Sequence, residues 1–173
     1  MLAAATEVFL ARGYEGATME GISAAAGVTR ANIYWYFKSK DDVFAAVMTQ
    51  LLSRNFHALA VEHSDLDALS RLTRGLYSVR PYRSLHQAMH DRLIHHEGVR
   101  AAHDLWLEWI RDLVRQMVEE FEIETDYELV AHLIEAVFEA VHLPVEHRKP
   151  PYEMIHFIID LVGSRGITRQ PRG

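Results

Sequence analysis

The chain has 173 residues, 49% hydrophobic and 24% charged, with a formal net charge of -6 and no cysteine. That is ample apolar material for a packed core, in one domain or in a small domain joined to a larger one, and it excludes disulfide frameworks, thiolate metal sites and thiol nucleophiles. The acidic balance argues against indiscriminate coating of nucleic acid, no apolar run approaches membrane-spanning length, and the lack of cysteine fits a reducing cytoplasm.

Apolar residues recur at three- and four-residue steps nearly everywhere, so the chain reads as all-α. A first helix is predicted over Leu2–Arg12, with Leu2, Ala5, Val8 and Phe9 on one face. Glu7 interrupts this apolar stretch and no basic segment precedes it, which favours an amphipathic helix over a signal peptide. Gly13 ends the helix where a left-handed backbone is tolerated. Thr18 caps a short helix through Ala26, Gly27 breaks it, and Thr29 caps the next through about Phe37. Ser39 caps a long fourth helix, with Asp41 and Asp42 favourably placed in its first turn and Phe44, Val47, Met48, Leu51, Leu52 and Phe56 as its stripe.

Longer helices follow, over Asp65–Val79, from Pro81 through His96, and over Val99–Phe121, with Gly98 as a turn between the last two. The third of these carries Leu105, Trp106, Trp109, Ile110, Leu113, Met117 and Phe121 in a broad stripe. A helix from Asp126 through His142, a proline-marked loop over Leu143–Pro151, a last helix over Pro151–Val162 and a frayed tail from Gly163 complete about nine helices.

Residues 18–37, TMEGISAAAGVTRANIYWYF, describe two short helices joined at Gly27. Ala24, Ala25 and Ala26 are small enough for close crossing, and Ile22, Val28, Ile33 and Phe37 supply an apolar centre. Left for the outer face of the second helix are Thr29, Arg30, Asn32, Tyr34, Trp35 and Tyr36. Three aromatics exposed together need a partner to cover them, and a helix of this width fits the major groove. Residues 1–56 hold five Lys/Arg and five Asp/Glu, so this part alone is not repelled overall by phosphate. The competing reading is a helix pair that only packs, with Tyr34 and Trp35 interior.

Ala4-Ala5, Phe9, Arg12-Gly13-Tyr14, Thr18, Ile22, Ala25-Ala26-Gly27-Val28-Thr29 and Ile33 through Lys40 together resemble the TetR family of repressors, over Met1 to about Val47. The stretch from Thr29 through Phe44 looks most like the regulators of multidrug efflux pumps. The resemblance implies a three-helix DNA-binding domain with a helix-turn-helix over residues 1–47, and a helical-bundle ligand-binding and dimerisation domain over residues 48–173. It implies a phosphate contact for Thr18, base-edge readout by Thr29, Arg30 and Asn32, phosphate contacts from Tyr34 and Tyr36, a thymine methyl or sugar contact from Trp35, and a phosphate pairing for Lys40. Three departures stand out. The chain begins inside its first helix, so no minor-groove arm is assigned. Gly21 sits within the second helix, at a cost of about 1 kcal/mol against Ala. Tyr36 stands where the family often has His.

Beyond about Gln50 no motif matches. Leu129, Val130, Leu133, Ile134, Val137, Phe138 and Val141, and then Met154, Ile155, Phe157, Ile158, Ile159, Leu161 and Val162, form stripes wider than one buried face requires. With the dimerisation role that the resemblance implies, they favour a homodimer through the last two helices over an ordinary monomer core, and hence a palindromic operator on double-stranded DNA with half-sites about 34–36 Å apart. Met89, His90, Leu93, His103, Trp106, Trp109, Ile110 and Leu113, with His86, are candidates for a hydrophobic small-molecule effector site; Trp106 and Trp109 as plain core is an equal reading. His86 and His90 at i, i+4, with His95-His96 following, invite a metal, but no third ligand converges in the pattern and none is expected. No catalytic motif and no cofactor loop occur. The leading expectation is a ligand-released repressor in the cytoplasm. The alternatives are a small-molecule-binding or enzymatic bundle with a vestigial helix-turn-helix, and a regulator without an effector.

Overall fold

The computed structural model describes residues 1–141 and 151–166, and every element among them is helical. The order is α1 (Leu2–Gly16), α2 (Met19–Ala25), α3 (Arg30–Tyr36), α4 (Lys40–Val61), α5 (Ala68–Ser78), a 3-10 turn at Arg80–Tyr82, α6 (Arg83–Arg92), α7 (Glu97–Glu120), α8 (Tyr127–Val141) and α9 (Pro151–Gly166). The expected loop over 143–150 and the tail beyond 166 lie outside the described residues.

The chain forms two compact units, Met1–His57 with Val79–Trp106, and Ala58–Ser78 with Leu107–Gly173. In the first, Phe9, Tyr14, Ile22, Ile33, Phe44, Leu85, Met89 and Val99 share one buried cluster, so α1–α4 are packed with α6 and the start of α7. In the second, Leu72 of α5, Ile110 and Met117 of α7, Ile134 of α8 and Ile155 of α9 are fully buried.

Several boundaries differ from expectation. The helix α5 starts at Ala68, because Asp67 is its cap and accepts the Ser70 N–H at 2.7 Å. Pro81 opens a 3-10 turn rather than a long helix, and α6 ends at Arg92. Gly98 is not a turn: it lies inside the first turn of α7, where a Cβ would stand 3.2 Å from the Ala45 Cβ of α4. The last helix runs on to Gly166 instead of stopping at Val162.

Gly75 in α5 has the tightest such constraint. A Cβ there would fall 2.0 Å from Cη2 of Trp109 and 3.0 Å from Cδ1 of Leu59. The indole lies directly on the glycine backbone. Gly75→Ala gains about 1 kcal/mol of helix propensity but forces the indole out of place, an overpacking cost of about 1–3 kcal/mol. The expected net result is a melting temperature several degrees lower, by about 2–4 °C per kcal/mol for a chain of this size. A thermal melt above that of the parent would contradict this packing.

Candidate nucleic-acid interface

The two short helices are each built from local chemistry. The Thr18 hydroxyl accepts the Gly21 N–H at 3.0 Å and starts α2. At its other end Gly27 takes φ +65°, its N–H donates to Ala24 O and the Val28 N–H donates to Ser23 O. Those two bonds are a Schellman closure, and the positive φ it requires is why glycine stands there. The Thr29 hydroxyl then accepts the Asn32 N–H at 3.2 Å and starts α3. Both hydroxyls accept in these caps and keep their own proton for an outside acceptor. Gly13 ends α1's regular run at φ 67°, ψ 174°, a region essentially confined to glycine.

Ile33 is the buried residue of α3, and it anchors the helix on the core. Everything opposite it is outward. Trp35 is 78% exposed, Tyr36 60% and Tyr34 39%, and Thr29, Arg30 and Asn32 are exposed as well. The reading in which Tyr34 and Trp35 are interior is thereby overturned. The Trp35 and Tyr36 rings meet edge to face at 4.6 Å, and the Arg30 guanidinium lies 5.5 Å from the centre of the Tyr34 ring. Arg30 Nη1 also pairs with Glu20 of α2 at 2.5 Å. Ala24 and Ala25, expected to ease the crossing of the helices, are exposed instead. Ala31 was missed by sequence reasoning. It is exposed one turn before Trp35, and its i, i+4 spacing from that residue was the available signal.

Lys40 is half-buried, donates from Nζ to the Tyr14 carbonyl at 2.8 Å, and lies 4.1 Å from the Tyr14 ring centre. Tyr14 is a hub. Its hydroxyl donates to Asp41 Oδ1, its ring packs against Phe9 and Phe44, and the Arg92 guanidinium of α6 stands 4.4 Å from its centre. Burial, then the hydrogen bond and charge of Asp41, push the phenol far above its usual range, so it stays a donor. Arg92 also pairs with Glu15 at 2.9 Å.

A second tie runs through Asp42. Its Oδ2 accepts the Ser39 N–H and hydroxyl at 2.9 Å, while its own N–H donates back to Ser39 Oγ at 3.1 Å, a capping box at the start of α4. Its Oδ1 meets His96 Nε2 at 3.1 Å, and His96 Nδ1 accepts the Val99 N–H at 3.3 Å. Since Nδ1 accepts, the neutral ring carries its proton on Nε2 and donates to Asp42. Burial alone would raise the Asp42 carboxyl, but Ser39 and then His96 outweigh it and hold it below the usual range. A carboxyl depressed in the folded state contributes stability above the ordinary value of 3.8, and that contribution is lost as pH falls through and below it. Asp42→Asn is therefore expected to flatten the loss of stability between pH 6 and pH 3 in urea melts. An unchanged acid limb would mean that this carboxylate is not ionised in the fold.

The candidate effector residues fall in two places. Met89, His90, Leu93, His103 and Trp106 belong to the first unit, and Trp109, Ile110 and Leu113 to the second. Within the first, the rings of His86 and His90 lie 4.6 Å apart, those of His90 and His103 5.0 Å, and Trp106, 1% exposed, packs 6.1 Å from Phe56. In the second, Ile110 and Leu113 are buried and Trp109 covers Gly75. No group of three side chains able to hold a metal ion occurs among the described residues. No described helix is long and apolar enough to cross a membrane.

On α8, Leu129 and Leu133 point outward at 59% and 44% exposure, opposite buried Val130 and Ile134. On α9, Phe157 and Leu161 do the same at 66% and 41%, opposite Ile155 and Ile159. A cleft of about 370 Å³ between the two is lined by Val137, Met154, Phe157, Ile158 and Glu153.

Comparison with known proteins places this geometry. The sequence profile described as bacterial regulatory proteins, tetR family, matches residues 1–47. The HTH-type transcriptional regulator SrpR of Pseudomonas putida is 31% identical over 140 residues, 73% of this chain and 63% of its own length. The chain thus spans just under two thirds of that relative. The uncharacterized HTH-type transcriptional regulator TtgW, also of Pseudomonas putida, is 33% identical over 122 residues, 62% of this chain and 87% of that protein. A transcriptional regulator from Saccharomonospora viridis, solved in complex with choline, shares the fold with a TM-score of 0.70 at 20% identity, over 93% of this chain and 92% of that one.

Proposed function

Because this chain belongs to the TetR family of bacterial regulatory proteins, we propose that it is a homodimeric repressor that holds a palindromic operator and releases it when a small hydrophobic effector enters its body. The observation that carries the reading is the outer face of α3: a helix anchored only by Ile33, with Thr29, Arg30, Asn32, Tyr34, Trp35 and Tyr36 all turned to solvent. Arg30 and Asn32 suit guanine and adenine edges. The Thr29 hydroxyl suits a base edge beside them, and Trp35 a thymine methyl or sugar; the Thr18 hydroxyl and the phenols of Tyr34 and Tyr36 suit phosphate, and Lys40 does so with the donors that Tyr14 leaves it. The vestigial-motif alternative is disfavoured by the same face, since a helix without a DNA partner has no reason to expose three aromatics.

Residues 1–47 are the DNA-reading part in this account, and residues 48–173 the effector and dimer part. Support for the dimer comes from the outward Leu129, Leu133, Phe157 and Leu161, which give α8 and α9 apolar sides beyond those already buried. Support for an effector comes from the choline bound in the Saccharomonospora viridis regulator of the same fold. The likeness to efflux-pump regulators rests on the recognition segment, which follows operator sequence and so does not narrow the effector. The proposed release is a population shift: effector stabilises a body conformation in which α4 swings and the two α3 helices lose their spacing. Such a regulator works beside the chromosome, in the cytoplasm.

The decisive experiment is a mobility-shift titration on the duplex upstream of its own gene. A shifted band that weakens steeply with salt and resists excess unrelated duplex is expected. Equal binding to unrelated duplex at every salt concentration would defeat the proposal.

A further inference from the structure

The reading face carries one feature that base recognition does not explain. Of the carboxylates in residues 1–47, Glu15 is held by Arg92, Asp41 by Tyr14, and Asp42 by Ser39 and His96, while Glu7 lies exposed on α1. Glu20 differs: it stands on α2 beside the recognition helix, and its Oε1 is bonded to Arg30 Nη1 at 2.5 Å. The two side chains are 56% and 63% exposed, so this pair adds little to folding stability. Its place beside the DNA-facing surface calls for another account.

We propose that Glu20 is a specificity-determining residue that withholds Arg30 from phosphate and leaves the guanidinium available to a matching base edge. The inference rests on the DNA-reading role of α3. On unrelated DNA an arginine gains by neutralising one phosphate and releasing its counterions. Arg30 has that gain largely cancelled, because leaving Glu20 strands a carboxylate against a polyanion. A guanine edge is different. It takes two parallel N–H bonds from one side of the guanidinium fork, and five donors allow Nη1 to remain on Glu20 while the free edge reads O6 and N7. The Tyr34 ring, 5.5 Å from the guanidinium carbon, limits where that edge points. The equal count of basic and acidic residues over 1–56 fits a protein that suppresses its phosphate background rather than building it up.

The test uses the full chain as wild type, Glu20→Gln, Arg30→Ala and the double variant. The probes are a duplex enriched by the wild type from a random-sequence pool and a shuffled duplex of the same composition, titrated by fluorescence anisotropy across a salt series. Glu20→Gln is expected to bind the shuffled duplex on the order of ten-fold tighter at ~0.1 M salt, with a salt slope steeper by about 0.9 per protomer, the effect of one more neutralised phosphate from each. Binding to the enriched duplex should gain less, so discrimination falls. In the Arg30→Ala background most of this effect should vanish. An equal gain with and without Arg30 would show a general charge effect and overturn the proposal, as would unchanged discrimination in Glu20→Gln. If the wild type enriches no sequence at all, the DNA-reading role of α3 fails and the proposal with it.

Discussion

Arg30→Ala is expected to cost about 5- to 150-fold in affinity for each half-site, concentrated at one base pair of each, and the two losses multiply over the whole operator. That range corresponds to about 1–3 kcal/mol for a bidentate arginine contact with guanine. The side chain is 63% exposed, so its removal leaves the fold intact and the loss reports on recognition. Lys40→Ala is the contrasting variant. It should weaken binding evenly across operator sequences and flatten the salt slope by about 0.9 per protomer, because a phosphate contact positions the protein without reading the base. The measurement is an affinity series over single-base operator variants at two or more salt concentrations. An even loss for Arg30→Ala would remove it from base readout and leave Thr29, Asn32 and Trp35 as the readers.

Why this region could be read from sequence, and the body less well, follows from the range of the interactions. Thr18, Thr29 and Ser39 each act on a group three residues away, and Gly13 and Gly27 each answer to their own φ. Such signals sit inside a short window of sequence. The ties that hold α1 and α4 to α6 and to the start of α7 do not. Arg92 meets Glu15 across 77 positions, and His96 meets Asp42 across 54. Nothing near His96 marks it as the cap of α7, so the sequence pattern assigned it no role. Both its ring nitrogens are occupied by Asp42 and Val99.

Glycine misled for the same reason. Gly98 reads as a turn yet lies inside α7, where a Cβ would crowd the Ala45 Cβ of α4 at 3.2 Å; Gly75, inside a helix as expected, owes its identity to the Trp109 indole lying on it. Local pattern reading treats a glycine as punctuation. The two tryptophans show the converse. Trp106 and Trp109 share a helix at three-residue spacing, which suggests a common site, yet one packs near Phe56 in the first unit and the other on Gly75 in the second. Helix periodicity placed them on one face and could not say what each would meet.

The largest loss is expected from Phe157→Glu combined with Leu129→Glu. Both positions are exposed in the single chain, at 66% and 59%, so a carboxylate there is solvated and helix content by far-UV circular dichroism should not change. In a twofold dimer built on α8 and α9 each substitution occurs twice, because an isologous interface uses the same patch from both protomers. A central aromatic anchor is worth about 2–4 kcal/mol, and replacing it by a desolvated charge adds to that loss. Two copies of one such change already exceed what a dimer of micromolar affinity, about 8 kcal/mol, can spare while staying associated at working concentrations. Sedimentation should therefore show half the wild-type mass. Operator affinity should fall by more than ~100-fold, since each half-site must then be bound without the linkage that raises the effective concentration of the second α3. A variant that still sediments as a dimer would move the interface off α8 and α9; a monomer that keeps full operator affinity would break the link between twofold symmetry and DNA reading.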